Sequence, residues 1–431
     1  MTARDDFNGI VSDWLDDQAG RGAPDYLDQV LARTTRTRQR PAWSSFERWL
    51  PVQTTLRYIP VPRVAWVLVI LALVAAIGVA ALSLGARRPN LPPPFGPARN
   101  GAIVFGGTDH DIYQLNSISG ATAALVTGST SDRDPAMSRD GTRFVFLRDT
   151  AISDPVLGTV EPMIMVANAD GSDIRAVSPA LSGFHATTWS SSVQWSNDGS
   201  RLAVAHDVGG KPAIELFQVD GSVKPVVVST GGDASFMSFR PGDRELTFNR
   251  SNGDTNGLYA VGADGRGLRT ILEPANADYA SLSPDGTKLA YAAPGGPLNA
   301  YNVIRVVDVD TGLVRMPNFV PPVSGQGQAD AQSWWSPDGS MLLFQRYVGG
   351  KYRMAVAPET GGPVVEIGPT MLEHGGQRVE AQFSPDGLQV IVHYDDGGAT
   401  WLLDTSGATK GIQLPDTIAE TATWQRLALA P

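Results

Sequence analysis

Leu282-Ser-Pro-Asp-Gly-Thr-Lys-Leu-Ala-Tyr291 consists of an apolar residue, a short polar turn and a new apolar run. Related phrases occur six times, at intervals from 43 residues (positions 243 to 286) to 58 residues (positions 141 to 199). A phrase that returns at such intervals is typical of repeat proteins. The six copies are Met137-Ser-Arg-Asp-Gly141, Trp195-Ser-Asn-Asp-Gly199, Phe239-Arg-Pro-Gly-Asp243, Leu282-Ser-Pro-Asp-Gly286, Trp335-Ser-Pro-Asp-Gly339 and Phe383-Ser-Pro-Asp-Gly387.

The polar part of the phrase has the composition of a hairpin turn. Asp-Gly supplies positive φ angles, Pro fixes φ one position earlier, and Ser can hydrogen-bond the turn backbone. The residues that follow alternate as in a strand, so each phrase is predicted to join two antiparallel strands. These second strands are Phe144–Phe146, Leu202–Val204, Leu246–Phe248, Leu289–Tyr291, Leu342–Phe344 and Val390–Val392.

A second turn phrase, a small or acidic residue followed by Gly, comes later in each unit. Its copies are Asp170-Gly171, Asp220-Gly221, Asp264-Gly265, Thr311-Gly312, Thr360-Gly361 and Ser406-Gly407. A seventh copy, Ser119-Gly120, precedes the first opening phrase, with candidate strands at Ala102–Phe105, Ile112–Leu115 and Ala123–Val126. At the other end, Thr421–Trp424 has the register of a first strand with no strand after it. The two chain ends therefore complete one unit.

Seven units of four strands predict an all-β, seven-bladed β-propeller over residues 99–427. The unit shared between the chain ends would close the ring and leave no open sheet edge. A six-bladed propeller is the alternative, because the long interval between Gly141 and Gly199 could contain an irregular unit.

The run Ser283-Pro-Asp-Gly-Thr-Lys-Leu-Ala-Tyr291 resembles the repeats of TolB-like propellers, and the resemblance extends over roughly residues 99–427. TolB itself is a periplasmic binding protein, and similar propellers serve as accessory domains of peptidases. The resemblance therefore implies a binding module and leaves the ligand open.

A membrane span is predicted before the propeller. Residues 64–84 are 21 consecutive residues without a charge, flanked by Arg63 and by Arg87-Arg88. Such a stretch can cross a hydrocarbon core of about 30 Å, and Trp66 lies where an interfacial aromatic residue is expected. A buried core helix and a cleaved signal peptide are the alternatives, and the long segment before the stretch disfavours the second.

Positive charge predicts the orientation of this single transmembrane helix. More arginines precede it than follow it, which places residues 1–63 in the cytoplasm and the propeller outside the cell membrane. The Pro-rich residues 85–98 are expected to form a stiff spacer between the lipid bilayer and the propeller. The arginines counted are Arg36, Arg38, Arg40, Arg48, Arg57 and Arg63 before the stretch, and Arg87, Arg88 and Arg99 after it.

The cytoplasmic segment 1–63 predicts three short amphipathic helices. The first has an apolar stripe within Phe7–Leu15, the second starts near Pro24, and the third starts at Ser44, with Glu47 completing a capping box. Three short helices bury little core, so this segment is expected to need a partner.

Two interpretations of this segment stay open. Its layout resembles that of membrane-bound anti-sigma factors, which implies a cytoplasmic regulatory partner, although their His and Cys zinc motif is absent from residues 1–63. Alternatively, the basic helices lie on the inner membrane face, since Trp43, Phe46 and Trp49 are interleaved with arginines.

The charge of the chain is concentrated in the propeller. The formal net charge is −10, and residues 1–63 contribute nine Arg against eight acidic residues. An acidic propeller is a poor candidate for binding nucleic acid. The absence of Cys excludes disulfides and cysteine zinc sites.

Three histidines have acidic neighbours: His110 with Asp109 and Asp111, His206 with Asp207, and His374 with Glu373. We interpret these groups as solvated polar residues beside hairpins. The repeat also lacks the Thr-Trp ending of sialidase boxes, and no span remains for a hydrolase domain with a Gly-x-Ser-x-Gly elbow. The sequence-based prediction is that the chain is not an enzyme.

Two acidic turns are weak candidates for calcium. Asp395-Asp396-Gly397 and the stretch Asp132–Asp140, which includes Asp134, lack the alternating spacing of a calcium loop. No catalytic, cofactor-binding or metal-binding residue is therefore assigned, and no cofactor is predicted.

The predicted function is a binding or sensing module for a protein or envelope ligand. Residues 148–162, 179–192 and 317–330 are the long loops expected to project from one propeller face. Signal transfer to a cytoplasmic partner of residues 1–63 would follow. The alternative is an accessory protein of envelope transport or assembly, in which the N-terminal helices serve only as an anchor.

Overall fold

The computed structural model describes residues 95–154, 159–181, 184, 193–252, 256–273, 275, 277–295, 301–323, 328–372, 379–394 and 399–429. The predicted segment 1–63, the predicted span 64–84 and most of the spacer 85–98 lie outside these residues. Among the described residues, no helix is long and apolar enough to cross a bilayer. The interpretations of the N-terminal segments therefore stay predictions.

The described part of the chain is built from β-strands. In chain order these are β1 (Arg99–Gly107), β2 (Ile112–Leu115), β3 (Thr122–Val126), β4 (Asp132–Met137), β5 (Arg143–Asp154), β6 (Thr159–Asn168), β7 (Arg175–Ala176), β8 (Val193–Trp195), β9 (Arg201–Asp207), β10 (Pro212–Gln218), β11 (Val226–Ser229), β12 (Asp233–Phe239), β13 (Glu245–Ser251), β14 (Asn256–Gly262), β15 (Arg269–Leu272), β16 (Asp278–Leu282), β17 (Lys288–Gly295), β18 (Tyr301–Asp308), β19 (Val314–Arg315), β20 (Asn318–Val320), β21 (Ala329–Trp335), β22 (Met341–Val348), β23 (Lys351–Pro358), β24 (Gly361–Pro363), β25 (Val365–Leu372), β26 (Val379–Phe383), β27 (Gln389–Tyr394), β28 (Ala399–Asp404), β29 (Ile412–Gln413) and β30 (Ile418–Leu427).

Seven four-stranded antiparallel sheets form the blades of a propeller. Blade I is β4–β7, blade II β8–β11, blade III β12–β15, blade IV β16–β19, blade V β21, β22, β23 and β25, blade VI β26–β29, and blade VII β30, β1, β2 and β3. The parallel pair β20 and β24 is a separate two-stranded sheet. The prediction of seven blades is confirmed and the six-bladed alternative is wrong. The long interval between Gly141 and Gly199 is filled by the extended hairpin of β5 and β6 and the connection from β7 to β8.

Blade VII is assembled from both ends of the sequence, as predicted. β30 pairs with β1, and Trp424 lies opposite Ile103 in the register. The Trp424 side chain is fully buried, beside Ile103 and Phe105 in one hydrophobic cluster. The closing strand therefore holds the ring by backbone hydrogen bonds and by burial of a large aromatic side chain.

Five of the six opening hairpin turns share one geometry, shown by residues 283–288, whereas the turn at 239–243 has positive φ angles at both Gly242 and Asp243. The Gly286 amide donates to the Ser283 carbonyl oxygen over 2.8 Å, Ser283 Oγ donates to Asp285 Oδ1 over 2.6 Å, and the Lys288 amide donates to Ser283 Oγ over 2.9 Å. Gly286 has a φ of +71°, whereas Asp285 is not in the left-handed region. The expectation that Asp and Gly share the positive φ angles is therefore corrected: Asp285 serves as a hydrogen-bond acceptor.

Hydrophobic cores lie between neighbouring blades. One core combines Ile214 and Leu216 of blade II with Met237 and Phe248 of blade III. Hydrogen bonds cross the same boundaries, for example from Trp195 Nε1 to the carbonyl oxygen of residue 136 over 2.9 Å. The first strand of blade II is thereby fixed to blade I.

The connections divide between the two ends of the ring. We call the end with the turns from first to second strand and from third to fourth strand the turn face, and the opposite end the loop face. Residues 148–162 and 179–192 belong to connections on the loop face. Residues 317–330 begin beside the turn face, where Asn318–Val320 pair with Gly361–Pro363 next to a third-to-fourth-strand turn, and reach the loop face before β21. They are not wholly loops, because β5 and β6 extend into the first and β20 lies within the third.

Candidate functional site: the central channel

The first strands of the blades enclose a central cavity of about 420 Å³. Residues from β4, β8, β12, β16, β21, β26 and β30 line it. A cavity of this size is in the range that small-molecule sites occupy. The channel is therefore the candidate functional site.

Four residues at equivalent positions of blades III to VI, each three residues before the final apolar residue of its first strand, line the channel: Phe236, Tyr279, Gln332 and Glu380. Phe236, Tyr279 and Gln332 have φ angles of 50°, 54° and 47°, and each lies at an irregularity of the strand register. The bulge breaks the regular alternation of side chains in these strands. The rings of Phe236 and Tyr279 meet edge to face with centroids 5.3 Å apart.

Several buried oxygen atoms of channel residues have no hydrogen-bond partner among the described residues. They are Gln332 Oε1, Ser333 Oγ and Ser281 Oγ. Gln332 and Ser333 are 3% and 2% exposed. Buried polar atoms are normally hydrogen-bonded, so these three oxygens make this part of the channel wall unusual.

Two arginines lie at the end of the channel near the turn face. At the third position of the hairpin phrase, blades III to VI have Pro241, Pro284, Pro337 and Pro385, and blade II has Asn197. Blades VII and I have Arg426 and Arg139 at this position, and both line the channel. These blades adjoin each other, since the Met137 amide donates to Thr423 Oγ1 over 3.3 Å.

The chain that enters the propeller lies against both arginines. The Phe95 ring centroid is 5.1 Å from Arg139 Cζ, and Arg426 Nη2 donates to the Gly96 carbonyl oxygen over 2.8 Å. Burial, followed by the positive charge of Arg139, lowers the pKa of Arg426 to about 10. Burial also lowers the pKa of Arg139, and the charge of Asp243 acts in the opposite direction.

The stretch Asp132–Asp140 does not assemble a calcium site. Both Asp132 oxygens accept hydrogen bonds of 2.7 Å from Arg148, Asp134 accepts from Arg133, and Asp140 accepts from Ser138 Oγ within its own turn. The other calcium candidate, residues 395–397, lies outside the described part of the chain. Within that part, no group of three or more potential metal ligands occurs.

His110 and His206 lie on different blades, VII and II, and are not brought together. His206 Nε2 is 2.8 Å from Glu215 Oε2 on the neighbouring strand of blade II. His110 occupies the hairpin between β1 and β2, where its neighbour Asp109 accepts a hydrogen bond of 2.6 Å from the Tyr113 hydroxyl. That bond raises the pKa of Tyr113 to about 12. The third candidate, His374 with Glu373, lies outside the described residues.

The residues of the channel were not identified from the sequence. The bulges at Phe236, Tyr279 and Gln332 have no local signature, because ordinary residues adopt the positive φ angles. The arginines did leave a signal, since Ser-Arg-Asp-Gly in blade I departs from Ser-Pro-Asp-Gly. The structure shows that Arg426 occupies the same position in the adjoining blade, so the departure at Arg139 places a second arginine at the same end of the channel.

Solved structures with the same architecture are distant in sequence. Periplasmic gluconolactonase from Pseudomonas aeruginosa aligns with a TM-score of 0.53 and 16% identity over 76% of this chain and 99% of that one. The propeller domain of the Trilobed protease from Pyrococcus furiosus aligns at 0.51 and 13% over 76% and 97%. An oligogalacturonate lyase in complex with manganese aligns at 0.51 and 13% over 75% and 86%. At these identities the likeness shows the fold alone.

These structures correct the prediction that the chain is not an enzyme. That prediction treated a propeller without a familiar catalytic motif as a binding module. Proteins named as a lactonase and a lyase have the same fold, so the architecture is compatible with catalysis and the exclusion was wrong.

Comparison with curated protein sequences finds no significant match. Comparison with protein families matches residues 163–426, more than half of the chain, to the TolB beta propeller domain. The match spans blades II to VI completely, together with parts of blades I and VII. The chain belongs to the TolB beta propeller domain family.

Proposed function

We propose that this protein is a membrane-anchored propeller that binds another protein of the cell envelope through its loop face. Residues 64–84 anchor it in the cell membrane, residues 1–63 lie in the cytoplasm, and the propeller lies outside. Family membership supports a protein-binding or envelope accessory role. The observation that favours the loop face is that the long connections 148–162 and 179–192 belong to it and that a third, 317–330, ends there.

The two faces differ in how much surface they offer. On the turn face, five of the six opening hairpins repeat one geometry, and the chain entering the propeller contacts one of them: the Ala98 amide donates to the Pro385 carbonyl oxygen over 2.8 Å. The loop face carries connections of unequal length, which is where specific recognition usually resides. A partner that binds there does not meet the entering segment.

Single-cysteine crosslinking tests which face binds. The chain has no Cys, so an introduced cysteine is its only thiol. Val348, 41% exposed on the loop face, and Ile118, 95% exposed on the turn face, are the matched positions. In cells that produce the full-length chain, a photocrosslinker on V348C is expected to give an adduct of defined mass, and the same reagent on I118C none. An adduct from I118C alone, or equal adducts from both, would contradict the proposal.

We further propose that the protein signals across the membrane to a cytoplasmic regulatory partner that binds residues 1–63. Recovery of a sigma factor with the full-length chain, lost when residues 1–63 are deleted, would support it. Recovery of envelope proteins alone would favour the accessory role with an N-terminal anchor. A reporter fused after Pro431 that is active only in the cytoplasm would overturn the topology on which both depend.

A further inference from the structure

We propose that the turn face of the propeller binds the surface of the cell membrane through a rim of exposed apolar side chains. The inference rests on the membrane anchor of the proposed function, and it adds that the anchored propeller itself contacts lipid. Because the contact lies on the turn face, it leaves the loop face open to a partner of the cell envelope.

The apolar rim is a repeated feature of the fold. Every blade exposes a large apolar side chain within the connection from its third to its fourth strand, or at the first residue of the fourth strand. Single exposed apolar residues are common on protein surfaces. Recurrence in seven blades, however, places these side chains at one end of the ring. The residues of the apolar rim, which are 36% to 95% exposed, are Ile118, Ile174, Val223, Leu268, Leu313, Val365 and Ile412.

An exposed cation accompanies the apolar rim in three blades. Each of these cations lies within two residues of the apolar side chain. Apolar side chains beside Lys or Arg are typical of surfaces that bind the lipid interface, where the cation meets phosphate and the apolar group reaches the acyl chains. The pairs are Val223 with Lys224, Leu268 with Arg266, and Ile412 with Lys410.

The carboxylates of the same three turns are held in local hydrogen bonds. Asp220, Asp264 and Asp404 each accept a hydrogen bond from the backbone amide two residues ahead, over 2.9, 3.0 and 2.7 Å. These aspartates therefore serve the turn conformation. The exposed cations remain available to lipid phosphate groups.

The segment that follows the predicted span reaches the propeller on the turn face. The Phe95 ring lies against Arg139, and the Ala98 amide donates to the Pro385 carbonyl oxygen over 2.8 Å, so residues 95–98 lie along this face. Residues 85–94 remain between them and the predicted span, and ten residues reach at most about 36 Å. A short tether gives the membrane a high effective concentration at this face, which favours lipid over a partner free in solution.

Fluorescence quenching in vesicles tests the lipid contact. The full-length chain is reconstituted in phosphatidylcholine, some of which carries a nitroxide. A zwitterionic lipid is used because the formal net charge of −10 would repel an anionic one. The chain has no Cys, so an environment-sensitive fluorophore can be attached to L313C on the apolar rim or to V348C on the loop face. We expect the nitroxide to quench the fluorophore at L313C and to leave V348C unchanged.

Substitutions at other rim positions test the same contact without moving the fluorophore. V223D/L268D/I412D is expected to abolish the quenching at L313C, because carboxylates disfavour the lipid interface. K224Q/R266Q/K410Q is expected to reduce it. K211Q/K351Q, which alters two exposed lysines of the loop face, is the matched control and is expected to have no effect. All substituted side chains are exposed, and circular dichroism verifies that each variant is folded.

An alkaline wash of the vesicles separates the two proposals. Release of the chain would overturn the membrane anchor and this inference with it. Retention of the chain without quenching at L313C, or with equal quenching at V348C, would overturn the lipid contact alone, as would full quenching in folded V223D/L268D/I412D. Disulfide-linked dimers of unlabelled L313C, together with no quenching of the labelled chain, would assign the apolar rim to a second copy and would also overturn the proposal.

Discussion

Gly141 and Gly221 have the same backbone conformation, each with a φ of +68°, and they differ in what surrounds them. A Cβ atom on Gly141 would overlap the carbonyl oxygen of Arg426 in the closing strand, whereas a Cβ atom on Gly221 would meet open space. Gly221 is therefore needed for its backbone conformation alone. Gly141 is needed for its backbone conformation and also because it lies close to β30.

The comparison of G141A with G221A isolates the second requirement. Both variants are expected to lose about 1–2 kcal/mol of unfolding free energy, because L-residues disfavour positive φ. G141A is expected to lose about 1–3 kcal/mol more, because the added methyl group forces the turn away from β30. Urea unfolding of the two full-length variants measures the difference, and equal losses would show that the turn moves without cost.

At the scale of single elements, two of the first strands are joined to the preceding blade by hydrogen bonds from tryptophan side chains. Trp335 Nε1 donates to the Ser281 carbonyl oxygen of the preceding blade over 3.0 Å. Trp424 occupies the same register position in β30, and its Nε1 has no partner among the described residues. Trp335 thus forms a hydrogen bond across a blade boundary, whereas Trp424 contributes through packing.

Phe substitutions at the two positions test this distinction. W335F is expected to destabilise the protein by about 1 kcal/mol more than W424F, because it removes a hydrogen bond in addition to ring volume. Chemical denaturation of both variants is the measurement. A larger loss in W424F would mean that its indole nitrogen has a partner after all.

At the scale of the whole molecule, the repeated turn aspartates predict a dependence of stability on acid. Burial raises the pKa of Asp285, and the hydrogen bonds from Ser283 and Thr287 outweigh it, so the pKa lies below its ordinary value. The same direction holds for other turn aspartates, with their local hydrogen bonds as the lowering cause. These are Asp170, Asp198, Asp220, Asp308, Asp338 and Asp404.

A carboxylate whose pKa is lower in the folded than in the unfolded state stabilises the fold above its unfolded pKa, and this contribution is lost as the pH falls through the folded pKa. We therefore expect the unfolding free energy to be steady from neutral pH to about pH 5 and to fall below about pH 4. Buried Asp330, whose pKa is raised by desolvation, opposes the trend. In the double variant D285N/D338N, which keeps side-chain acceptors that cannot titrate, the loss below pH 4 should be smaller. An unchanged acid profile would contradict this origin.

Contiguous residues were sufficient to predict the blades. The Ser-Pro-Asp-Gly turns and the alternating strands after them are local features, because turn conformation and strand alternation depend on neighbours in the chain. The incomplete units at Ala102–Val126 and Thr421–Trp424 were enough to predict closure between the chain ends. The sequence did not predict details of backbone conformation. The positive φ angles of Asp134, Phe236, Tyr279 and Gln332 are examples, because no local sequence pattern indicates them.

The channel depends on contacts between residues that are far apart in the sequence. Arg139 and Arg426 adjoin because β30 closes the ring beside β4. The hydroxyl oxygens of Ser281 and Ser333, which have no partner in the described part of the chain, can be recognised once neighbouring blades are in place. The repeat therefore encodes the scaffold through local geometry. The charge and polarity of its centre arise from seven first strands that meet only when the ring is complete.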